Sequence, residues 1–276
     1  MKLSQMKQIL AAGPIRLTKS LGQNFLHDGN QLRRIIKAAD LAETDSVLEI
    51  GPGLGPLTEL LVGRAKEVLA IEKDQRLFDL LQQRFGEVRN LTLLHADALE
   101  FLRQTSRDWS EWKLVSNLPY AVASPLLVEL AQSPQPPCLM VVTLQLEVAR
   151  RLAAPAGAPD YGVLTLLVQW RYEPGGWFKI PASCFFPEPD VDSACVTLRR
   201  RPQLLLAAEQ TGAFARLVKL SFSQRRKMMG KLLKQAWPEP ALEAAFEEAG
   251  LDMKTRAETV SLEQFVQLAQ LLPADA

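Results

Sequence analysis

From about residue 29 to residue 200, short apolar runs alternate with stretches whose apolar positions recur at helical spacing. The runs at 46–50 (SVLEI), 67–72 (EVLAIE), 91–95 (LTLLH), 113–117 (KLVSN) and 139–145 (LMVVTLQ) are rich in Val, Ile and Leu. Runs of this length and composition read as strands buried on both faces. Helical patterns fill 55–64, 74–86 and 123–132 between them, and another follows at 146–154. Strand–helix alternation of this kind predicts an α/β fold with a doubly wound parallel sheet. The stretches 163–172 (VLTLLVQWRY) and 193–200 (SACVTLRR) read as further strands completing that sheet, and RRRP at 199–202 ends it. Beyond it, 212–235, 240–250 and 261–272 carry only helical patterns. The expected organisation is one sheet-bearing domain over 1–200 and a small all-helical domain over 201–276. No internal repeat or low-complexity tract interrupts it.

Composition narrows the function classes. No stretch approaches the ~20 uninterrupted apolar residues of a membrane span. The 3 cysteines form no CxxC pair and there are 2 histidines, so neither a zinc site nor a disulfide framework is expected. A chain without disulfides suits a reducing, cytoplasmic setting. The N-terminal apolar run is too short for a secretion signal, and the segment is too poor in Arg and Ser for a transit peptide. The net charge is +1, which by itself announces no polyanion partner. Its distribution is uneven. Residues 199–234 hold ten Lys/Arg against Glu209 alone, 235–276 hold two against eight acids, and 1–40 hold seven against two. Two basic regions in a neutral chain suit phosphate, although on charge alone ordinary solvated surface is the better reading.

Ligands of doubly wound sheets sit outside the carboxyl ends of the strands. The first strand ends in Glu49-Ile50-Gly51-Pro52-Gly53-Leu54-Gly55. Glycines there let backbone N–H groups come close to a ligand with a helix start behind them. The spacing is GxGxG, with Pro56 where the dinucleotide fingerprint GxGxxG has its third glycine. A glycine-rich turn alone is weak, but the second strand ends in Glu72. Its carboxylate suits a pair of ribose hydroxyls, and Asp74 is the better cap for the helix that follows. The third strand ends in His95-Ala96-Asp97-Ala98, where Asp97 suits either an adenine amino group or a helix cap.

The fourth strand ends in Asn117-Leu118-Pro119-Tyr120. An exocyclic adenine amine is a poor nucleophile because its lone pair is delocalised into the ring. Two acceptors on its hydrogens favour a pyramidal nitrogen whose lone pair points at a methyl donor. The Asn117 side-chain oxygen and the Leu118 carbonyl fit those roles. Pro119 stiffens the turn, and Tyr120 offers a ring for the base. The tetrapeptide is moderately specific alone and strong after GxGxG, Glu72 and Asp97.

With these residues in place, the chain resembles the ribosomal RNA adenine dimethyltransferases, in particular the small-subunit (16S) branch, over nearly its whole length. Residues 19–26 (KSLGQNFL) resemble that family's N-terminal motif, 48–55 (LEIGPGLG) its cofactor loop, 117–120 (NLPY) its catalytic motif, and 185–193 (FFPEPDVDS) its FxPxPxVxS signature. Ala121 and Leu146 stand where many members carry Asn and Lys. The resemblance implies a Rossmann-like methyltransferase sheet and S-adenosylmethionine as methyl donor. It implies cofactor contacts at Gln23, Asn24, Leu26, Gly51, Gly53, Gly55, Glu72, Asp97, Ala98 and Asn117. The target adenine is expected between Tyr120 and Phe185. The implied partner is 16S rRNA within the 30S subunit or its precursor, gripped in part by Arg225, Arg226 and Lys227 of the segment 221–227 (SFSQRRK). A monomer without metal or membrane is expected. The branch that methylates an adenine of 23S rRNA for antibiotic resistance shares the same motifs. A non-catalytic nucleic-acid-binding relative is the alternative from another class.

Overall fold

The computed structural model describes residues 1, 3–12, 24–224 and 226–273. Gln23, residues 19–22 of the N-terminal motif, and Arg225 lie outside them. The five Val/Ile/Leu-rich runs are all strands: β2 (Ser46–Ile50), β3 (Glu67–Glu72), β4 (Leu91–His95), β5 (Trp112–Asn117) and β6 (Leu139–Gln145). Together with β7 (Tyr172–Ile180) and β9 (Ser193–Arg200) they form a seven-stranded sheet of order β4-β3-β2-β5-β6-β9-β7. The first five are parallel and β9 runs antiparallel to β6. A separate two-residue ladder joins β1 (Phe25–Leu26) to β8 (Phe185–Phe186), antiparallel.

The chain builds outward from β2 through β3 to β4, then returns to the other side of β2 with β5. That reversal opens a crevice at the carboxyl ends of β2 and β5. The Ser116 hydroxyl donates to the Ile50 carbonyl at 2.5 Å and ties the two strand ends together.

The helices of this part are α1 (Leu3–Ala12), α2 (Gly29–Ala39), α3 (Thr58–Val62), α4 (Gln75–Phe85), α5 (Ala98–Gln104), α6 (Ala123–Gln132) and α7 (Leu146–Ala153). Their starts have local causes. Asp28, Asp74 and Asp97 accept backbone N–H groups at the first turns of α2, α4 and α5. α2 buries Leu32, Ile35, Ile36 and Ala39, an i, i+3, i+4, i+7 stripe. That stripe packs with Val47, Val115 and Val141 of the sheet in one apolar cluster.

Three expectations are corrected. Residues 163–172 are not a strand: Val163–Gln169 is a helix, α8. A short apolar run has no periodicity that separates strand from buried helix. Here Thr165 decides it, because its hydroxyl oxygen accepts from the Gly162 N–H at 3.1 Å and donates to the Arg151 carbonyl at 2.6 Å. The strand begins at Tyr172 instead and runs through Pro174-Gly175-Gly176, residues tolerated because β7 is at the sheet edge. Residues 212–235 are not one helix but α9 (Thr211–Ser221) and α10 (Met229–Leu233). In the connection Arg226 has a left-handed backbone, φ 67°. The division into compact units also differs from 1–200 and 201–276. One unit is 1–149 with 174–200, and the other is 150–173 with 201–276.

The second unit holds α8 to α10, α11 (Glu239–Glu248) and α12 (Leu262–Leu271). Its core is aromatic. Trp170 lies against Phe214 with centroids 6.2 Å apart, Phe222 stacks on Phe265 at 6.1 Å, and the Tyr161 hydroxyl donates to the Val260 carbonyl at 2.8 Å. α8 lies in this unit and packs with α9.

The cap of α2 is a clean test of local stability. Asp28 accepts from both Asn30 N and Gln31 N at 2.9 Å. Asp28→Ala is expected to lower the unfolding free energy by about 1 kcal/mol, measured by urea denaturation of the full chain.

Candidate active site

A cavity of about 220 Å³ opens at the carboxyl ends of β2, β3 and β5. Its floor is the turn after β2. Gly51 and Gly53 have φ of +69° and +61°, values that favour glycine. A Cβ on Gly51 would sit 3.0 Å from Pro119, and one on Gly53 only 2.7 Å from the Phe25 ring. The bare backbone therefore lets the loop pass beneath both the catalytic turn and β1. Gly51 N donates to the Ile71 carbonyl at 2.8 Å, which fixes the loop to β3.

Glu72 closes the adjacent wall. Its two carboxylate oxygens accept from Gly53 N at 3.1 Å and Asp74 N at 2.9 Å. A carboxylate offers about four lone-pair positions, so each oxygen keeps capacity for a ribose hydroxyl. Burial raises its pKa, and the N–H groups of Asp74, Gly53 and Lys73 offset part of that rise. Asp74 caps α4, as its spacing suggests. Asp97 does more than one job. One oxygen accepts from Leu99 N and Glu100 N to cap α5, and the other pairs with the Lys73 ammonium at 2.7 Å. That ammonium, chiefly, holds the Asp97 carboxyl below the usual carboxylate range.

The turn after β5 carries the distinctive geometry. Asn117 Nδ2 donates to the Asn24 carbonyl at 3.2 Å. This sets the amide's orientation, because its other end is then an oxygen. Asn117 Oδ1 is buried and has no hydrogen-bond partner. Leu118 N donates to the Thr143 carbonyl at 3.0 Å, and Val122 N to the Pro119 carbonyl at 3.1 Å. The Leu118 carbonyl accepts no hydrogen bond among the described residues. Tyr120 is half-buried, and its hydroxyl shares a 2.5 Å hydrogen bond with Ser193 Oγ. Burial raises the Tyr120 pKa and that contact partly offsets it.

Of the expected site residues, Asn24, Leu26, Gly51, Gly53, Glu72, Asp97, Ala98, Asn117, Leu118, Pro119 and Tyr120 all line this one cavity. Two do not. A Cβ on Gly55 would meet Phe85 at 2.6 Å, so that glycine lets the loop pack on α4. Phe185 is 2% exposed and lies in the apolar cluster with Leu26, Ile35 and Val115. Its ring presents no face to a base, because alternation along β8 turns Phe185 into the core. Arg226 and Lys227 are exposed, in the second unit.

One cavity-lining residue escaped the sequence reading. Glu49, on β2, lines the cavity, is 1% exposed, and has an Oε2 with no partner. A carboxylate inside an otherwise apolar strand was the available signal. Burial pushes its pKa up to about 8, the Thr58 hydroxyl opposes this, and the nearby Glu72 charge adds to it. No group of three or more His, Cys, Asp or Glu suited to a metal ion occurs among the described residues.

The overall fold is shared by solved RNA methyltransferases. The 23S rRNA methyltransferase ErmE is 30% identical with a TM-score of 0.67, covering 90% of this chain and 99% of its own. A dimethyladenosine transferase from Plasmodium falciparum is 25% identical with a TM-score of 0.71, covering 88% and 95%. The family model for ribosomal RNA adenine dimethylase matches residues 15–273, and the chain belongs to that family. Relatives named ribosomal RNA small subunit methyltransferase A include those of Geobacillus thermodenitrificans, 38% identical over 96% of this chain and 94% of theirs, and Natranaerobius thermophilus, 36% over 97% and 95%.

The buried carboxyls make a pH test. Glu49 has a folded pKa near 8 against 4.5 in the ordinary state. Between those values the unfolded chain binds fewer protons than the folded one, so stability falls as pH rises. Glu49→Gln is expected to reduce that fall between about pH 4.5 and 8, in thermal melts of the protein without cofactor, while the contribution of Glu72, whose pKa is also raised, persists.

Proposed function

We infer that this protein transfers methyl groups from S-adenosylmethionine to the exocyclic N6 amine of adenines in 16S rRNA, taking each amine to the dimethyl form. The single observation that carries the reading is Asn117 Oδ1, a buried acceptor with no partner whose amide is held by its other end. The family membership supports the reaction class, and the small-subunit relatives support the substrate.

The cavity fits the cofactor chemically. Glu72 offers acceptors for ribose hydroxyls, Asp97 lies at the next strand end for the adenine amino group, and Gly51 and Gly53 keep the floor bare of side chains. Glu49 and Glu72 place two buried carboxyl groups on this wall, and a neighbouring sulfonium or ammonium would favour their ionised forms. When bound, S-adenosylmethionine supplies an electrophilic methyl group on sulfonium sulfur.

The chain's own residues do the rest. Asn117 Oδ1 accepts one amine hydrogen and the Leu118 carbonyl the other. The nitrogen pyramidalises, and its lone pair turns toward the methyl group. Tyr120 stacks on the extruded base, a contact worth about 1–3 kcal/mol. As the N–CH₃ bond forms and the S–CH₃ bond breaks, positive charge gathers on the nitrogen, where the two acceptors stabilise it. The extra proton then leaves the nitrogen for solvent, so no general base is needed before transfer. For the second methyl group one amine hydrogen remains, and one acceptor suffices to aim it.

The substrate assigned to the protein is the 30S subunit or its precursor, met by a monomer in the cytoplasm. The exposed Arg226 and Lys227, between α9 and α10, support phosphate contact by the second unit.

Two measurements test these assignments. Asn117→Ala is expected to slow single-turnover methylation of undermethylated 30S particles by about 10²–10³, by analogy with loss of one preorganised oxyanion-hole donor, with RNA affinity largely retained. Near wild-type transfer at saturating cofactor would refute the catalytic assignment. Arg226→Ala with Lys227→Ala is expected to weaken 30S binding and reduce the slope of log K against log salt by about one or two, with the dissociation constant for S-adenosylhomocysteine unchanged in calorimetry.

A further inference from the structure

The segment 185–193 contributes no side chain to the cavity wall, yet it reaches both catalytic side chains from behind. At its near end, β8 pairs with β1 in the register Leu26↔Phe185 and Phe25↔Phe186. The residue immediately before β1 is Asn24, whose carbonyl holds Asn117 Nδ2. Phe185, packed in the core, anchors this ladder. At its far end, Ser193 is fully buried and its hydroxyl meets the Tyr120 hydroxyl at 2.5 Å.

Ser193 is itself held rigidly. Its neighbour Asp192 accepts from Ala182 N at 3.0 Å, pairs with the Lys179 ammonium at 2.6 Å, and gives its carbonyl to Leu146 N at 3.0 Å. Three elements thus converge on residue 192, and β9 starts in register with Gln145 of β6 at residue 193. A serine hydroxyl placed this firmly fixes the direction of the tyrosine C–O bond. The ring turns about an axis along that bond, so the hydrogen bond pins the far end of that axis and with it the place of the ring.

We propose that Ser193 is a positioning residue for methyl transfer: its hydroxyl holds Tyr120 in the orientation that stacks the extruded adenine, while the β1–β8 ladder sets Asn117 through Asn24. Segment 185–193 is then a brace for the catalytic turn, acting through Tyr120 and Asn117 without touching substrate. The inference rests on the adenine-methyltransferase reading above and deepens it.

The test is a double-mutant cycle on undermethylated 30S particles under single-turnover conditions. Ser193→Ala and Tyr120→Phe each remove one side of the hydrogen bond and keep the ring. Each is expected to lower the maximal transfer rate by about five- to tenfold, the size of one lost hydrogen bond. The 30S concentration for half-maximal rate should stay within twofold. The double variant should be no slower than either single one, and Ser193→Thr, which keeps the hydroxyl, should recover most of the rate. Affinity for S-adenosylhomocysteine should be unchanged throughout. If Ser193→Ala does not fold, Tyr120→Phe alone carries the test, and a rate within twofold of wild type overturns the proposal. Independent, multiplying losses in the cycle also overturn it, as does a loss expressed only in the half-maximal concentration. A wild-type protein that transfers no methyl group to 30S particles overturns the functional reading instead, and this inference with it.

Discussion

The proposed chemistry depends on the orientation of one side-chain amide. Asn117 has two similar ends, and only one of them accepts a hydrogen bond. Donation from Nδ2 to the Asn24 carbonyl breaks that symmetry. The carbonyl sits where it does because β1 is tied to β8, and the turn that bears Asn117 sits where it does because β5 and β6 are in register. A buried oxygen without a partner costs roughly 1–3 kcal/mol. Such a deficit is settled where a ligand supplies a donor, and under the proposed function that donor is the substrate amine.

Acidic groups set the second constraint. Glu49 and Glu72 both lie in the cavity wall, where burial raises the cost of ionising each, and the charge of Glu72 adds to the cost for Glu49. Glu72 is relieved by two backbone N–H groups and Glu49 is not. A cation beside these groups would favour their ionised forms. Glu72 also braces the loop, since its carboxylate accepts from Gly53 N.

Much of this was legible before any coordinates. The five parallel strands could be read because each is covered on both faces, which leaves continuous Val/Ile/Leu runs. The strand ends then pointed to Gly51, Glu72, Asp97 and Asn117, since chemistry in such sheets gathers there. Residues 163–172 misled because burial in a helical core and burial in a sheet select the same apolar residues. What separates them is a hydroxyl, that of Thr165, bonding to a carbonyl fourteen residues earlier. Phe185 misled for a different reason. A motif identifies a residue without telling which face of its strand is turned inward, and here alternation turned it to the core. Glu49 was missed because it sits inside the run that made the strand recognisable.

The discontinuity of the two compact units has a consequence for how the chain acquires its structure during synthesis. The sheet-bearing unit needs residues 174–200 to gain β9 and most of β7, and it is complete when residue 200 has emerged. By then 150–173 has already been made, although its residues group with 201–276 in the second unit. Cutting at residue 200 would strand that segment on an otherwise finished sheet unit, and the segment 201–276 made alone would lack the piece it groups with. Neither unit is a module that can be exchanged or expressed by a single cut, and the order of synthesis places the sheet ahead of the helical unit.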